Sequence, residues 1–374
     1  MSEWKEYKLG DLLTLEYGKS LKGYQETING VPVYGTNGPI GFTDEPLCSI
    51  AGIIVGRKGA YRGVHYSPNP FFVIDTAFYV KLKVDYIDIG YLYNFLLSQD
   101  INAMDSGSAI PSTDRYEIYK INILLPPLPE QRAITAMLSS LDNKIDLLHR
   151  QNQSLEAMAE TLFRQWFVEE ANEGWEDGTI ADLCHTITKG TTPTTLGYNF
   201  SETGINFVKA ESITDTGDFI WEKFAKINID THNFLNRSIL QEGDVLCSIA
   251  GTIGRLAIAT KEILPANTNQ AIAIIRVNRQ KCFPEFIYLF LKSPQFKAIM
   301  DGKIVHAVQP NLSLGEIGNT PISIPSALVM NNFQKLISPL FAKKRFNTFQ
   351  ICTLEKLRDT LLPKLMSGEV RIEV

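Results

Sequence analysis

The sequence predicts an α+β fold in which two pseudo-repeated globular domains are joined by two long antiparallel coiled-coil helices. Three observations support this prediction. The second half of the chain repeats the first, each half ends in a helical segment, and each helical segment follows short β-like runs separated by Gly, Pro, Asn and Thr loops. We therefore predict domains at residues 1–128 and 169–327 and helical regions at residues 129–168 and 328–374.

The duplication is visible in the order of matching residues along the chain. Trp4 matches Trp175 at a separation of 171 residues, and Pro126 matches Pro325 at a separation of 199. A separation that rises along the domains and then stays constant through the helices is what loop insertions leave after a duplication. Two copies are too few for a solenoid, in which short repeats stack in series.

One stretch of the repeat allows two alignments. The hexapeptide LCSIAG occurs at Leu47–Gly52 and again at Leu246–Gly251, whereas the pattern G-x-x-[GR] matches Gly59 with Gly251. We prefer the second alignment because it keeps the separation between the copies rising smoothly.

Length and composition exclude several classes of protein. A chain of 374 residues exceeds the size at which one core keeps growing, and 44% hydrophobic with 21% charged residues is typical of a globular protein. No apolar run approaches the ~20 residues that a membrane span needs, and the N-terminal sequence lacks the apolar segment of a signal peptide. Five cysteines without a C-x-x-C pair argue against disulfides or a zinc site. We expect a soluble, cytoplasmic protein with no metal site and no membrane contact.

The first helical region carries a heptad seam, which specifies a supercoiled helix. The motif PPLPEQ at Pro126–Gln131 marks its start. At a rise of ~1.5 Å per residue, this arm would be roughly 55–60 Å long. The predicted seam residues are Ile134, Leu138, Leu141, Ile145, Leu148, Asn152, Leu155, Ala159, Leu162 and Trp166.

The second helical region repeats this seam with three polar interruptions. Residues 130–168 have a net charge of −1 and residues 329–367 a net charge of +5, so the charges favour pairing of the two helices with each other. Because a domain lies between the helices along the chain, we expect the two helices to pair in antiparallel orientation. The predicted seam residues are Phe333, Ile337, Leu340, Lys344, Asn347, Ile351, Leu354, Arg358, Leu361 and Leu365.

Asn152 is a polar residue in an otherwise apolar row. A single polar seam residue can fix the register of a coiled coil. The alternative is that Asn152 is tolerated in a partly hydrated seam, and the sequence does not separate these two interpretations.

Each domain is predicted to carry one amphipathic helix near its end, around Ile87–Ser98 and Pro284–Ser293. Binding residues usually lie on loops, where Lys and Arg suit phosphates and guanine edges and Asn and Gln suit adenine edges. The candidate DNA-binding residues of the first domain are Lys19, Ser20, Lys22, Asn37, Arg57, Lys58, Tyr61 and Arg62. Those of the second domain are Lys189, Thr191, Thr192, Lys209, Ser212, Arg255, Asn269 and Gln270.

The charge balance complicates an assignment to nucleic acid. The first domain has a net charge of −3 and the second of −5, so neither is a basic module of the usual kind. Either the positive residues are concentrated on one face, or another chain supplies much of the phosphate contact. The alternative for each candidate residue is a solvated charge beside a turn glycine.

The sequence gives no support for catalysis by this chain. NPFF at Asn69–Phe72 lacks the second proline of the N-P-P-[YF] loop with which amino-methyltransferases hold a base, and no glycine-rich strand-turn-helix is present for the methyl donor. GKS at Gly18–Ser20 lacks the upstream glycine of a phosphate-binding loop. We expect no enzymatic activity in the isolated chain.

Six motifs, in order along two domains and two helical regions, resemble the specificity (S) subunit of type I restriction–modification enzymes over nearly the whole chain. They are LPEQRAI (Leu128–Ile134), LD-x-KI (Leu141–Ile145), LFRQWFV (Leu162–Val168), GTIGR (Gly251–Arg255), QPNLS (Gln309–Ser313) and LLPKLMSGEVR (Leu361–Arg371). The resemblance adds Gln309 to the candidate DNA-binding residues, although the first copy has Ile110 at the matching position.

The resemblance implies that each target-recognition domain reads one half of a bipartite double-stranded DNA target. The helices would hold the domains about one DNA turn, roughly 34 Å, apart. Their seam residues would serve pairing and the docking of two methylation (M) subunits, which bring S-adenosylmethionine and methylate a flipped adenine at N6. Restriction (R) subunits would use ATP and Mg²⁺ for translocation and cleavage. This chain itself would bind no cofactor.

Two other classes of function remain open at this stage. One is an orphan two-domain DNA-binding or scaffold protein without an active methyltransferase partner, which co-purification with a methyltransferase would distinguish. The other is a self-sufficient methyltransferase, which binding of S-adenosylmethionine by the isolated chain would support.

Overall fold

The computed structural model describes residues 4–104, 111–172, 174–304 and 312–373, and the chain divides into two compact units. Unit 1 consists of Met1–Asp146 and Cys352–Val374, and unit 2 consists of Leu147–Ile351. Each unit contains one mixed domain and a part of both long helices.

The described part of unit 1 has nine strands, which form three sheets. The strands are β1 (Lys5–Lys8), β2 (Leu13–Tyr17), β3 (Val31–Gly35), β4 (Gly38–Thr43), β5 (Gly52–Gly56), β6 (Val64–Ser67), β7 (Phe72–Val73), β8 (Ala77–Leu82) and β9 (Asn122–Leu125). An antiparallel sheet has the order β2-β8-β5-β6, a second sheet has the order β4-β3-β7 with β3 and β7 parallel, and β1 pairs with β9.

The helices of unit 1 pack on one face of the four-stranded sheet. They are α1 (Leu9–Leu12), α2 (Ile89–Leu97), α3 (Arg115–Lys120), the first part of α4 (Leu128–Arg164) and the end of α9 (Ala327–Ser367), and a 3-10 turn covers Ile101–Ala103. Tyr91 and Leu92 of α2 share one buried core with Phe78 of the sheet and with Ile134 and Leu138 of α4. The long helix is therefore part of the domain core and not only a spacer.

The start of α4 is fastened to the domain by one buried amide. The Oε1 atom of Gln131 accepts a hydrogen bond from the backbone N–H of Asp88 at 2.7 Å, and its Nε2 atom donates to the carbonyl oxygens of Pro126 at 2.8 Å and Tyr86 at 3.1 Å. The carboxylate of Asp88 caps α2 by accepting from the backbone N–H of Tyr91 at 3.0 Å. The glutamine of the PPLPEQ motif thus joins the starts of α2 and α4.

The described part of unit 2 also has nine strands. They are β10 (Glu176–Thr179), β11 (Cys184–Lys189), β12 (Ile205–Val208), β13 (Ala225–Ile227), β14 (Val245–Ser248), β15 (Leu256–Ile258), β16 (Ala266–Thr268), β17 (Ile272–Val277) and β18 (Pro321–Ile324). The orders are β11-β17-β14-β15 and β13-β12-β16, with β12 and β16 parallel, and β10 pairs with β18. Strand for strand, this topology repeats that of unit 1.

The helices of unit 2 follow the same plan with two additions, α5 and α7, and with a 3-10 turn in the place of α1. They are the second part of α4, α5 (Ile229–Phe234), α6 (Pro284–Lys292), α7 (Pro294–Ile304), α8 (Leu314–Gly318) and the larger part of α9 (Ala327–Ser367). A π-helical turn, Gln165–Glu169, ends α4, and 3-10 turns cover Ile180–Leu183, Pro193–Leu196, Ala210–Ser212, Trp221–Lys223, Asn236–Ser238 and Lys261–Ile263. The helices predicted near the ends of the domains are confirmed as α2 and α6.

Strand register decides between the two alignments of the repeat. Gly56 of β5 pairs with Ala77 of β8, and Ser248 of β14 pairs with Ile272 of β17. Gly56 and Ser248 are therefore equivalent, which makes Gly59 equivalent to Gly251. The preferred alignment is confirmed, and the repeated hexapeptide does not mark equivalent positions.

Within unit 1, the start of α4 and the end of α9 lie side by side. The carboxylate of Asp142 accepts a hydrogen bond from the guanidinium of Arg358 at 3.1 Å. Beyond the end of α9, Arg371 donates to the carboxylate of Glu130 at 2.7 and 3.0 Å, and the indole N–H of Trp4 donates to the same carboxylate at 3.1 Å. The C-terminal tail is thus tied to the N-terminal segment of its own unit.

Within unit 2, the two helices pair through buried polar residues. The Nδ2 atom of Asn347 donates to the Oδ1 atom of Asn152 at 2.9 Å, and the Nδ2 atom of Asn152 donates to the hydroxyl of Thr348 at 3.2 Å. One turn further along α4, Glu156 meets Lys344, which is one turn earlier on α9, so the pairing is antiparallel. Asn152 is only 5% exposed, which favours its interpretation as a register residue over that of a hydrated seam position.

Glu156 is the centre of a buried charge cluster in unit 2. Its carboxylate accepts hydrogen bonds from the hydroxyl of Tyr288 at 2.7 Å, from Lys344 at 2.8 Å and from Lys292. Burial raises the pKa of Glu156, but Lys344 and the three hydrogen bonds outweigh burial, and the net pKa lies below the ordinary value. The cluster joins α6 of the domain to both long helices.

The predicted seam is largely confirmed. None of its residues on α9 is exposed, and on α4 every seam residue is buried or half-buried. The prediction missed Glu156 and Phe163, which are buried although they lie one position beyond Leu155 and Leu162. At this end α4 packs against α6 as well as α9, so its buried face is wider than a two-helix seam.

The domain boundaries given by the sequence stay a prediction, because each compact unit takes a part of both long helices. Among the described residues, no helix combines the length and apolar character that a membrane span requires.

Replacing Glu156 with Gln should destabilise unit 2 by about 3 kcal/mol at pH 7, because the half-buried Lys344 loses its counter-charge and Lys292 keeps only that of Glu160. Since the pKa of Glu156 is lowered in the folded protein, its contribution is present above its ordinary pKa of 4.5 and is lost as the pH falls through the folded value. Chemical denaturation of both proteins from pH 7 to about pH 3 measures the difference.

Lys343→Gln is the matched control for Glu156→Gln, since Lys343 is exposed and neighbours Lys344 on α9. Its effect should stay within about 0.5 kcal/mol. A stability difference between wild type and Glu156→Gln that did not shrink on acidification would contradict the assigned role of the charge.

The asparagine pair allows a double-mutant test. Asn347→Leu alone should destabilise the protein by about 1–3 kcal/mol, because the buried side-chain oxygen of Asn152 loses its hydrogen-bond donor. Adding Asn152→Leu should restore most of this loss, because two apolar residues then fill the seam. Denaturation midpoints of Asn347→Leu, of Asn152→Leu and of the double variant measure the coupling, and simple additivity of the two substitutions would refute it.

Candidate nucleic-acid interface

Three loops of unit 1 meet around the buried side chain of Thr36. This residue lies in the turn between β3 and β4, and its hydroxyl is 2.8 Å from the carbonyl oxygen of Lys58 and 2.7 Å from that of Thr76. Its own carbonyl accepts a hydrogen bond from the backbone N–H of Gly63 at 3.2 Å. Because Lys58 and Gly63 belong to the β5–β6 loop and Thr76 to the β7–β8 loop, one threonine fixes three loops.

The loop after β2 joins this cluster through a glycine. The backbone N–H groups of Gly18 and Lys19 donate to the carbonyl oxygens of Ala77 at 3.1 Å and Val73 at 2.9 Å. A Cβ atom at position 18 would lie 2.1 Å from the carbonyl oxygen of Ile74, so a larger residue cannot make this approach. We call these four loops the first loop cluster: residues 18–23, 36–37, 57–63 and 74–76.

Aromatic rings lie beside guanidinium groups at the first loop cluster. The ring centroid of Tyr17, a residue that is 46% exposed, is 4.7 Å from the guanidinium of Arg57 and 5.0 Å from that of Arg115. Arg115 also lies 5.1 Å from the ring of Tyr116, and Tyr61 is 79% exposed. Exposed aromatic and guanidinium groups together suit stacking on bases and contact with phosphates and base edges.

Seven of the eight residues predicted for the first domain have accessible side chains on this cluster. Lys19, Ser20, Lys22, Asn37 and Tyr61 are exposed, and Arg57 and Lys58 are half-buried. Lys58 forms an ion pair of 3.6 Å with Asp75. Their contact with DNA stays a prediction.

Arg62 requires a correction. Its side chain is 3% exposed, and its guanidinium donates to the carbonyl oxygens of Asn102 at 2.7 Å and Gly59 at 3.2 Å. Arg62 therefore holds the β5–β6 loop on its own domain and is not placed to reach DNA. Sequence alone could not separate it from Arg57, because both arginines lie in the same basic loop.

The glycine contact recurs in unit 2. The backbone N–H of Gly190 donates to the carbonyl oxygen of Ile272 at 3.3 Å, and that of Thr191 donates to the carbonyl oxygen of Thr268 at 3.0 Å. A Cβ atom at position 190 would lie 2.0 Å from the oxygen of Thr268. Gly190 is thus the counterpart of Gly18, and the same loops come together on the second copy of the scaffold.

We call the corresponding loops of unit 2, residues 190–195 and 268–271, the second loop cluster, and its side chains are mainly hydroxyls and amides. The guanidinium of Arg237 donates to the hydroxyl of Thr191 at 2.9 Å, and the hydroxyl of Thr192 is hydrogen-bonded to the side-chain oxygen of Gln270. The side-chain oxygen of Asn269 accepts from the backbone two residues further on at 3.3 Å. The structure thus brings together two pairs of predicted residues that lie about eighty residues apart in the chain. They are Thr191 with Thr192 and Asn269 with Gln270.

Ser212 also requires a correction. Its side chain is 0% exposed, and its hydroxyl donates to the carbonyl oxygen of Lys223 at 3.1 Å. Ser212 therefore joins the 3-10 turns Ala210–Ser212 and Trp221–Lys223 of its own domain and is not available to a ligand.

The remaining predicted residues of the second domain differ in their availability. Arg255 donates to the carboxylate of Asp215 at 2.8 Å, and Lys209 lies 3.8 Å from the carboxylate of Glu211. Lys189 is exposed at the end of β11. Gln309 lies outside the residues that the structure describes.

The structure adds residues that the sequence did not single out. Tyr17, Arg115, Tyr116 and Arg237 are absent from the predicted set of DNA-binding residues. Arg115 lies in α3 and not in a loop motif. Its guanidinium reaches the ring of Tyr17 although the two residues are almost one hundred positions apart in the chain. A local pattern cannot reveal such a contact.

Histidine does not contribute positive charge to the first loop cluster at neutral pH. Burial lowers the pKa of His65, although a hydrogen bond between its ring and the carbonyl of Thr36 raises it, and the net pKa lies below the ordinary value of 6.5. The lasting positive charges at this cluster are therefore those of lysine and arginine. Such a surface can bind an anion or an electronegative base edge.

Comparison with known families gives a match over both halves of the chain. The family described as the type I restriction modification DNA specificity domain matches residues 1–157 and 172–342. The two matched segments correspond to the two copies of the duplicated scaffold.

Relatives of known name are similar along nearly the whole chain. The specificity subunit of the type I restriction enzyme MjaIX from Methanocaldococcus jannaschii is 26% identical, over 99% of this chain and 89% of that protein. The specificity subunit of the type I restriction enzyme HindI from Haemophilus influenzae is 22% identical, over 99% of this chain and 100% of that protein.

A solved structure shares the fold. The crystal structure of a type I restriction–modification S subunit from M. genitalium has a TM-score of 0.65 and 18% identity, and the match covers 97% of this chain and 96% of that one. With both copies matched by the family, the chain belongs to the type I restriction–modification DNA specificity family, as a specificity subunit.

Proposed function

We propose that each domain reads one half of a bipartite, asymmetric target in double-stranded DNA and that the paired helices set the spacer between the halves. One observation carries this proposal. The same loop cluster, anchored by Gly18 in one copy and Gly190 in the other, recurs on two copies of one scaffold. Because the side chains on the two clusters differ, the two halves of the target would differ as well.

The chemistry would belong to partner subunits. Two methylation subunits would supply S-adenosylmethionine, flip an adenine in each half and methylate its N6, and restriction subunits would use ATP and Mg²⁺ for translocation and cleavage. The names of the relatives, specificity subunits of restriction enzymes, support this division of labour. The family match does not favour the alternative of an orphan scaffold.

The helices would dock the methylation subunits. Met158 on α4 and Phe346 and Phe349 on α9 expose large apolar side chains outside the seam of unit 2. Large apolar side chains that are exposed on a folded domain are typical of a surface that a partner protein covers. The proposal also accounts for the acidic balance of the chain, since partner subunits would supply part of the contact with phosphates.

Exchanging residues 1–128 for the first domain of another family member should change only one half of the methylated motif, because each cluster is built within its own domain. The variant is expressed with its methylation subunit, and N6-methyladenine is mapped across the genome by single-molecule sequencing.

The reciprocal exchange of residues 169–327 is the control and should change only the other half. If either exchange altered both halves, the assignment of one domain to one half would be wrong. If the wild-type complex methylated no split motif at all, the proposed function itself would fail.

Inserting one heptad into each long helix, after Arg150 and after Phe349, should lengthen the unspecified spacer. Seven residues add ~10.5 Å of helix, which corresponds to about three base pairs at ~3.4 Å each. The same mapping of methylated motifs measures the spacer.

Seven Gly and Ser residues inserted after Glu170, outside both helices, provide the control and should leave the spacer unchanged. An unchanged spacer in the heptad variant, with methylation preserved, would rule out the helices as the ruler.

A further inference from the structure

Arg57 carries a guanidinium that its own domain uses only in part. Its Nη1 atom donates to the backbone carbonyl of Asp75 at 2.9 Å. Its other N–H groups have no hydrogen-bond partner among the described residues, and no ion pair there joins Arg57 to a carboxylate. The group is thus held in place while most of its donors remain available.

The ring of Tyr17 restricts this guanidinium further. The guanidinium lies 4.7 Å from the ring centroid of Tyr17 and 5.9 Å from that of Phe78. An arginine that is fixed both by a carbonyl and by aromatic rings loses little conformational freedom when it binds, which favours geometric recognition.

A second guanidinium, that of Arg115, lies at the same ring. Arg115 is 5.0 Å from the centroid of Tyr17, and its donors are directed to the carbonyl of Leu15 at 3.4 Å and the hydroxyl of Tyr116 at 3.3 Å. In the part of the chain that the structure describes, neither Arg57 nor Arg115 has a carboxylate partner. Two like charges at one ring favour the arrival of an electronegative ligand.

We propose that Arg57 reads a guanine in the half of the target assigned to the first domain, and that Tyr17 is its positioning residue. This inference rests on the proposed function. The planar fork of arginine matches the O6 and N7 acceptors of guanine in the major groove. Lys19 and Lys22, which are exposed beside it, suit phosphates, because phosphate contact needs charge but little directional constraint.

The second domain has no arginine at the equivalent position. The backbone N–H of Arg57 donates to the carbonyl of Thr76 at 3.0 Å, and the backbone N–H of Ile249 donates to the carbonyl of Ala271 at 2.8 Å. The strand register gives the same equivalence, since Arg57 follows Gly56 and Ile249 follows Ser248. Ile249 is buried, so this reader belongs to one half of the target only.

The test uses the chain in complex with its methylation subunit. Genome-wide mapping gives the wild-type motif, and DNA duplexes with each base pair of the motif exchanged in turn give a binding profile. Arg57→Gln should lower the preference for one G·C pair in the first half by roughly 10- to 100-fold. All other positions and the second half should keep their preferences.

Arg57→Lys separates the two possible partners of the guanidinium. A contact with phosphate would largely survive in this variant. In that case Arg57→Gln would weaken binding to all DNA sequences equally and would not change the motif. That outcome overturns the proposal, as does a wild-type motif without a G·C pair in the first half. A guanine contact instead predicts that both variants relax the same position.

Variants of Tyr17 test positioning separately from folding. Tyr17→Phe keeps the ring and should retain the preference, whereas Tyr17→Leu should relax the same base pair as Arg57→Gln. A uniform loss of affinity in Tyr17→Leu would show a structural role only. Lys120→Gln, which removes an exposed charge of the same domain paired with Glu117, is the charge-matched control and should change neither motif nor profile.

Discussion

The antiparallel pairing of α4 and α9 is the constraint on which the rest of the structure depends. Unit 1 combines the two ends of the chain, whereas unit 2 is one continuous segment, and each core includes residues of both helices. Ile134 and Leu138 of α4 share a core with Leu365 of α9 in unit 1, and Phe163 shares a core with Phe333 in unit 2. Loss of helix pairing would therefore open both domain cores and not only the connection between them.

Polar residues give this pairing its direction and register, and they break the symmetry of the duplication. Asn152 pairs with Asn347, but the residue that corresponds to Asn152 in the second copy is Ile351, which is buried without a polar partner. The Glu156–Lys344 ion pair has no equivalent either, since Lys344 corresponds to Ile145. A shifted helix would bury these groups unpaired, which costs more free energy than a shifted apolar seam.

The features that sequence predicts well are those that repeat along the chain. The heptad seam, the two domain helices and the equivalence of Gly59 with Gly251 follow from periodicity and from comparison of the two copies. Burial in loops does not follow, because partners come from distant segments. Arg62 and Arg57 look alike in sequence, yet the former is buried by Asn102, whereas the latter stays half-exposed beside Tyr17.

The acidic balance of both domains is consistent with an anion-binding surface once the positions of the carboxylates are considered. Many of them are used within the fold: Asp88 caps α2, Asp114 caps α3, and Asp244 is buried in an ion pair with Arg276. A carboxylate that accepts hydrogen bonds from its own backbone or neutralises a neighbouring cation projects little field into solvent. At the first loop cluster, by contrast, Arg57 has no carboxylate partner among the described residues. Net charge per domain is therefore a poor guide to binding here, because the field that a ligand meets depends on which charges the fold has already paired.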